Sequence, residues 1–339
     1  MDLTCNMHYS AFYVYALKQL YGDSATFEFG YFADLEKSTR CFRFVIAEGD
    51  KELKCAVDFH DSREVEISVL KWSNVYGKIN LHIDLSKFYS GENVISHEDW
   101  AKVKSMPPSF GIRAFSLAYT LLQILSLIKS QGLRNISSLK LNVLNLVRMY
   151  IKRLPIEDYG YSESERGYVF LMATIWHEST AFINISRYNF IRACKEESSI
   201  RFEGGLVDVG YSCDYISDID AYKVPQGKIS LNTYLKKLRR SNFVFNGPSV
   251  LHCHGWKLGE YLCMGKAILS TPLSNLLPHP LVHGENIHFV EDNFESIKEG
   301  VRYLNENPDY VLHLEKGALQ YWKTYGAPNV AITNLINHS

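Results

Sequence analysis

Short apolar runs and helix-spaced apolar positions alternate along the 339 residues of this chain. The N-terminal pattern predicts a strand at Leu3–Met7, a helix at Ser10–Leu20 with Ser10 as cap and Gly22 as stop, and a strand at Thr26–Tyr31. Residues 40–85 read as strands at Arg40–Ala47, Leu53–Phe59, Val65–Trp72 and Lys78–Ile83, with a hairpin turn at Glu48, Gly49 and Asp50. Pro107 and Pro108 precede two helices, near Ile112–Ser130 and Leu139–Arg153. The apolar stretch Ala114–Ile128 is interrupted by Ser116, Thr120, Gln123 and Ser126 and falls short of the roughly 20 residues that span a bilayer. The expected reading is an interior helix, in preference to one lying on a membrane surface.

The second half alternates more regularly. A buried strand at Gly167–Ile175 is followed by an amphipathic helix at Ile183–Glu196, a glycine turn at Gly204 and Gly205, and a helix at Ser230–Arg240. A strand at Asn242–Phe245, a helix between Gly255 and Gly265, and an apolar run from Ala267 come next. This alternation predicts an α/β fold with a parallel sheet covered on both faces. The acidic, tyrosine-containing stretch from Pro155 is weakly periodic and reads as a linker. The expected division is therefore a first domain at 1–154, a linker at 155–166 and a second domain at 167–339.

Composition narrows the function classes. A net charge of −1 gives no electrostatic case for nucleic-acid binding. The seven cysteines form no C-x-x-C pair, and no signal-peptide pattern is read at Met1, so a reducing cytoplasm is expected. Aromatic residues make up 13% of the chain, which suits sugar-facing clefts and ordinary cores alike.

The segment 241–271 carries the most specific chemistry. A strand containing Phe243 and Phe245 ends at Asn246, Gly247 and Pro248; Gly255 then opens a short helix that holds Glu260 and closes at Gly265. A helix N-terminus aimed at the end of a parallel sheet is an anion site, and a Glu about one turn inside can bond ribose hydroxyls. This stretch resembles the donor-site signature of GT-B glycosyltransferases, and Gly284–Val290 resembles a pattern near the end of that family's donor domain. The likeness is strongest over 241–308. It departs where His252 replaces a second Glu of many retaining members, at Tyr261 and at Ala267.

The resemblance implies two Rossmann-like domains facing a cleft, the second binding a nucleotide-sugar and its last helix free to cross back to the first. It also implies transfer to a glycan or lipid-linked acceptor in bacterial surface polysaccharide or lipopolysaccharide synthesis, without a bound metal or cofactor. The location implied is cytoplasmic, peripheral at the inner membrane where the acceptor is lipid-linked; stereochemistry, retaining or inverting, stays open. The candidate donor-binding residues are Gly255, Trp256, Lys257, Glu260, His252, His254, Asn184 and Arg187. A catalytic base is expected from the first domain, at His8, Asp58, Asp61 or Asp84. His252 and His254, even with His279, His283 and His288 nearby, lack the usual spacing of a zinc site. Asp218 and Asp220 match a D-x-D metal motif that is frequent by chance and falls late in the chain. Two rivals are a nucleotide-sugar epimerase of the same architecture and a non-catalytic carbohydrate-binding protein.

Overall fold

The computed structural model describes every residue except Leu3, Phe29, Asp34, Lys37, 84–94, 132–135, Gln226, Lys228 and 338–339, and the side chains of Ser130, Gln131 and Ser138. Asp84 lies outside the described residues. In chain order the first elements are α1 (Met7–Tyr21), β1 (Cys41–Glu48), β2 (Lys51–Asp58), α2 (Ile67–Trp72), β3 (Val75–Lys78), α3 (His97–Ala101), β4 (Val103–Ser105), α4 (Leu117–Gln131) and α5 (Ile136–Lys152). Then come β5 (Tyr168–Thr174), α6 (Ala181–Glu196), β6 (Arg201–Val207), α7 (Leu231–Arg240), β7 (Val244–Asn246), α8 (Trp256–Cys263), β8 (Ile268–Ser270) and β9 (His288–Phe289). The chain closes with α9 (Phe294–Glu306), α10 (Pro308–Tyr321) and α11 (Pro328–Asn337). Unit 1 comprises Met1–Asp158, Asn275–His279 and Tyr325–Ser339; unit 2 comprises Tyr159–Ser274 and Pro280–Thr324.

Unit 1 is built on the sheet β1-β2-β3-β4. β1 and β2 form the antiparallel hairpin expected at Gly49, which takes a left-handed φ of 59°, and β2, β3 and β4 are parallel. The expected strands on either side of α1 shrink to one parallel bridge, Asp2 to Glu28. Asn6, and not Ser10, precedes the first helical residue, because the Tyr9 and Ser10 N–H groups already bond the Asn6 carbonyl. Val65–Trp72, expected as a strand, instead contains α2, which turns buried Val69 and Leu70 onto one side. Tertiary burial here outweighs the β-propensity of its branched residues. α11 packs on α1 and β3, where Gly77 leaves room for Leu335.

The α4–α5 hairpin also departs from expectation. On α4 it is Thr120, Gln123 and Leu127 that are buried, while five large apolar side chains point outward. An interior helix was expected because the sequence is apolar; the fold instead buries two of its polar interruptions, Thr120 and Gln123, and leaves most of the apolar positions exposed.

Unit 2 has two parallel ladders, one of two strands and one of three. β5 pairs β6, and β7, β8 and β9 are parallel. β7 follows β5 in space, since the Asn242 N–H donates to the Tyr168 carbonyl at 2.6 Å and the Phe170 N–H to Ser241 Oγ at 2.9 Å. Beyond β6, Leu206 forms a parallel bridge with Lys223. The spatial order is thus the Lys223 bridge, β6, β5, β7, β8, β9, the doubly wound 3-2-1-4-5-6 arrangement with its reversal between β5 and β7. Val169, Leu171, Phe243, Phe245 and Leu269 supply the strand side of the core; α6 covers it with Phe190, which stacks on Phe245 at 4.5 Å, and α9 with Ile297 and Val301.

Gly204 and Gly205 are not a turn but the middle of β6. Their φ values are +108° and +145°, and a Cβ would lie 2.0 Å from the Leu171 carbonyl oxygen at Gly204 and 2.4 Å from that of Tyr222 at Gly205. Glycine is what lets neighbouring backbones approach on both sides of β6.

Candidate functional site

Ligands of doubly wound sheets sit outside the carboxyl ends of the strands where the order reverses, which in unit 2 means the ends of β5 and β7. Asn184 organises the loop after β5. Its Oδ1 accepts from the Trp176 N–H, and its Nδ2 donates to the Trp176 carbonyl and to the Tyr215 hydroxyl, at 2.6–2.9 Å. Fully buried, Asn184 shapes the loop and spends its amide on that structure.

Two cations meet at the end of β5. Arg187, on α6, donates from Nη1 to the Thr174 carbonyl at 2.8 Å, and Lys257, in the first turn of α8, donates from Nζ to the Met172 carbonyl at 3.1 Å. Both are half-buried. Among the described residues neither forms an ion pair with a carboxylate. Burial, and next the positive charge of Arg187, lower the Lys257 pKa to about 7, while Glu260 pulls it upward. Burial lowers that of Arg187 to about 10.

The N-terminus of α8 completes this arrangement. Gly255 is its cap residue and supplies no side chain to the first N–H groups. Trp256 is the first helical residue, half-buried, and Glu260 lies about one turn further on, only 7% exposed. Gly265 closes the helix at φ +59°, where a Cβ would sit 2.9 Å from Leu319. A small hollow in front of α8 is lined by Gly247, Ser249, His252, His254, Gly255 and Thr271. His254 is buried beside it; His252 is exposed and stacks on Phe182 at 4.8 Å.

The loop at this hollow holds the strain of unit 2. Leu251 and His252 have φ of 54° and 57°, the left-handed region, without being glycine. Each such residue costs on the order of 1–3 kcal/mol, and such outliers gather at binding sites. No sequence signal marks Leu251, since the usual left-handed residues are absent from that position. The Met172 and Thr174 carbonyls were equally invisible, because any residue type supplies them.

The remaining candidates lie elsewhere. Asp58 is fully buried at the end of β2, where its carboxylate bonds Lys78 Nζ at 3.0 Å, the Tyr76 hydroxyl at 2.7 Å and the His60 N–H at 2.9 Å. The catalytic expectation for Asp58 gives way to a structural ion pair. His8 is in the first turn of α1, 2.7 Å from Arg153, and burial together with Arg153 lowers its pKa to about 4. That leaves a neutral imidazole of low basicity. Asp61 is exposed on the loop after β2. Asp218 accepts from the Tyr188 hydroxyl, and Asp220 pairs with Lys223. His279 stacks on Tyr325, and His283 and His288 form their own pair at β9. Among the described residues no three His, Cys, Asp or Glu side chains gather as a metal site.

No protein-family model matches the chain, and no curated protein matches it. Solved structures do align. One is the glycosyltransferase from Rickettsia africae ESF-5, at 12% identity and TM-score 0.45, covering 81% of this chain and 67% of that one. A second is WaaG, a glycosyltransferase involved in lipopolysaccharide biosynthesis, at 9% identity and TM-score 0.45, covering 78% of this chain and 63% of that one. A third is the C-terminal domain of the glycosyl transferase group 1 family protein LpcC from Francisella tularensis, at 14% identity and TM-score 0.39, covering 50% of this chain and 96% of that domain. These three solved structures are glycosyltransferases by their own descriptions; the α/β assignment of this chain follows from its strand order.

Proposed function

We propose that the chain is a glycosyltransferase whose unit 2 binds a nucleotide-sugar donor. The observation that supports this most is the convergence of Arg187 and Lys257, without carboxylate partners among the described residues, beside the uncapped start of α8. Two cations and a helix N-terminus around one point fit a diphosphate, whose charge would also favour the protonated form of Lys257. Glu260, about one turn along α8, is assigned to the ribose hydroxyls. Trp256 and His254 are assigned to the walls of the same site, and His252 to its rim.

The same groups explain how transfer is promoted. As the sugar–phosphate bond breaks, negative charge grows on the leaving diphosphate, and fixed cations and N–H groups stabilise it most at that moment. On this reading no metal is needed. The acceptor, a glycan or lipid-linked sugar of surface polysaccharide synthesis, is assigned to unit 1, and the reaction to the cytoplasmic side of the membrane.

A thermal-shift panel of nucleoside diphosphates tests the reading. At least one should stabilise the protein, by about 2.7 kcal/mol at a hundredfold excess over Kd, and the Lys257→Ala variant should lose the shift. No stabilisation by any nucleoside diphosphate at millimolar concentration would overturn it. An epimerase would convert its nucleotide-sugar with no acceptor present; the transferase proposed here releases nucleoside diphosphate when acceptor is added.

A further inference from the structure

The α4–α5 hairpin exposes an unusual number of large apolar side chains. On α4, Leu117, Leu121, Leu122, Leu125 and Ile128 are 44–62% exposed, and their spacing places them on one side of the helix. The side facing the protein carries Thr120 and Gln123 beside Leu127. On α5, Ile136, Leu141, Leu144 and Ile151 are exposed as well, while Asn142 and Asn145 are buried, as are Leu146 and Met149. By contrast α7, a surface helix of unit 2, buries Leu235 and Leu238 and turns its basic residues outward. Single exposed leucines need no explanation, but nine large apolar side chains exposed on two helices that pack together mark a surface suited to being covered.

Charge identifies the cover. Between Asp99 and Glu157 the sequence has no acidic residue and nine Lys and Arg, in a chain of net charge −1. Lys129, Lys140, Arg148 and Lys152 are exposed on α4 and α5 among the apolar side chains. A second copy would bring the same basic face against itself in a two-fold interface, which like charges oppose. A bilayer carrying anionic lipids meets both properties, because it solvates leucine in its acyl layer and attracts lysine and arginine at its headgroups. At 15 and 17 residues neither helix is long enough and apolar enough to cross a membrane.

We infer that the α4–α5 hairpin is a membrane-docking surface, which lays its exposed leucines into the interface of an anionic bilayer while the surrounding lysines and arginines hold the headgroups. This inference is independent of the donor-site reading.

The full chain, mixed with vesicles of equal parts phosphatidylcholine and phosphatidylglycerol, should co-sediment with them, release at high salt, and stay in solution with phosphatidylcholine alone. Leu121→Gln with Leu125→Gln should weaken binding at least about tenfold. Lys140→Glu with Arg148→Glu should do the same, since each basic residue near such a surface contributes about fivefold. Both pairs are exposed, so circular dichroism should be unchanged, which separates lost docking from lost folding. Failure of the unmutated chain to bind the anionic vesicles would overturn the inference, as would undiminished binding by folded variants of both pairs. A dimer in sedimentation equilibrium that the leucine substitutions dissolve would overturn it too, and would place a second copy on this face.

Discussion

Lys257 and Arg187 end on alternate carbonyls of one strand, Nζ on Met172 and Nη1 on Thr174. Carbonyls two residues apart share an edge of a strand, and the Tyr168 carbonyl on that same edge receives the Asn242 N–H from the β7 side. The two cations therefore take up backbone acceptors along the edge where the sheet order reverses. One Arg187 N–H serves Thr174, and a guanidinium has five such donors, so capacity for an anion remains. Lys257→Ala or Arg187→Ala should each cost about 1.5–3 kcal/mol of nucleoside diphosphate binding, roughly a tenfold to hundredfold rise in Kd by calorimetry. Arg187→Lys should not restore it, because an ammonium lacks the fork geometry. Unchanged Kd in both alanine variants would remove the anion site.

The same pair predicts a pH dependence. The Lys257 pKa stands at about 7, below its ordinary value, because burial and then Arg187 disfavour the charged form. The anion binds the charged form. Below pH 7 the lysine is already protonated and affinity should be level; above pH 7 binding must take up a proton, and affinity should fall by up to tenfold per pH unit. Calorimetry between pH 6 and 9 in two buffers of different ionisation enthalpy measures both the slope and the proton uptake, about one per site at most. In Lys257→Arg the slope should vanish.

Much of unit 2 was legible because its signals are local. Phe245 in β7 and the glycines at 255 and 265 that bound α8 appear where alternation and capping put them. Gly204 and Gly205 were misread, since a glycine pair announces a turn and a close strand approach in the same letters. Unit 1 was less legible. Asp58 looked like a base after a strand, and only the fold brings Lys78 and Tyr76 onto it. The apolar run of α4 looked like core, and burial of Thr120 and Gln123 in its place is decided by long-range packing.

Gly204→Ala should be strongly destabilising. A methyl group there would sit 2.0 Å from the Leu171 carbonyl oxygen, which belongs to the strand beside it and cannot swing away. With φ at +108° the backbone is strained for any other residue as well. The expected loss is roughly 3 kcal/mol or more, read as a lower denaturant midpoint. Gly210→Ala is the control: it also has positive φ, at +93°, but nothing lies within 4 Å, so its loss should be smaller.

Asp58 and Lys78 form a fully buried pair, so removing one member strands the other. Asp58→Ala should destabilise the protein by about 3–5 kcal/mol, and Asp58→Leu combined with Lys78→Met by much less. Nucleoside diphosphate affinity of the folded fraction should not change. If Asp58→Ala kept full stability yet abolished sugar transfer, the carboxylate would be chemical in role and the structural assignment wrong.

Glu260 separates the two halves of the proposed ligand. It lies on α8 three residues after Lys257, buried, and its charge supports that of the lysine. If it bonds ribose hydroxyls, Glu260→Gln should weaken nucleoside diphosphate binding by about 1.5–3 kcal/mol, because a charged acceptor has been replaced by a neutral amide. Inorganic pyrophosphate has no ribose. Its affinity should hold, or rise slightly as a negative charge near the anion site is removed, while Lys257→Ala should weaken both ligands together. Equal losses for both ligands in Glu260→Gln would mean that Glu260 acts only by holding Lys257, and the ribose role would then pass to another residue.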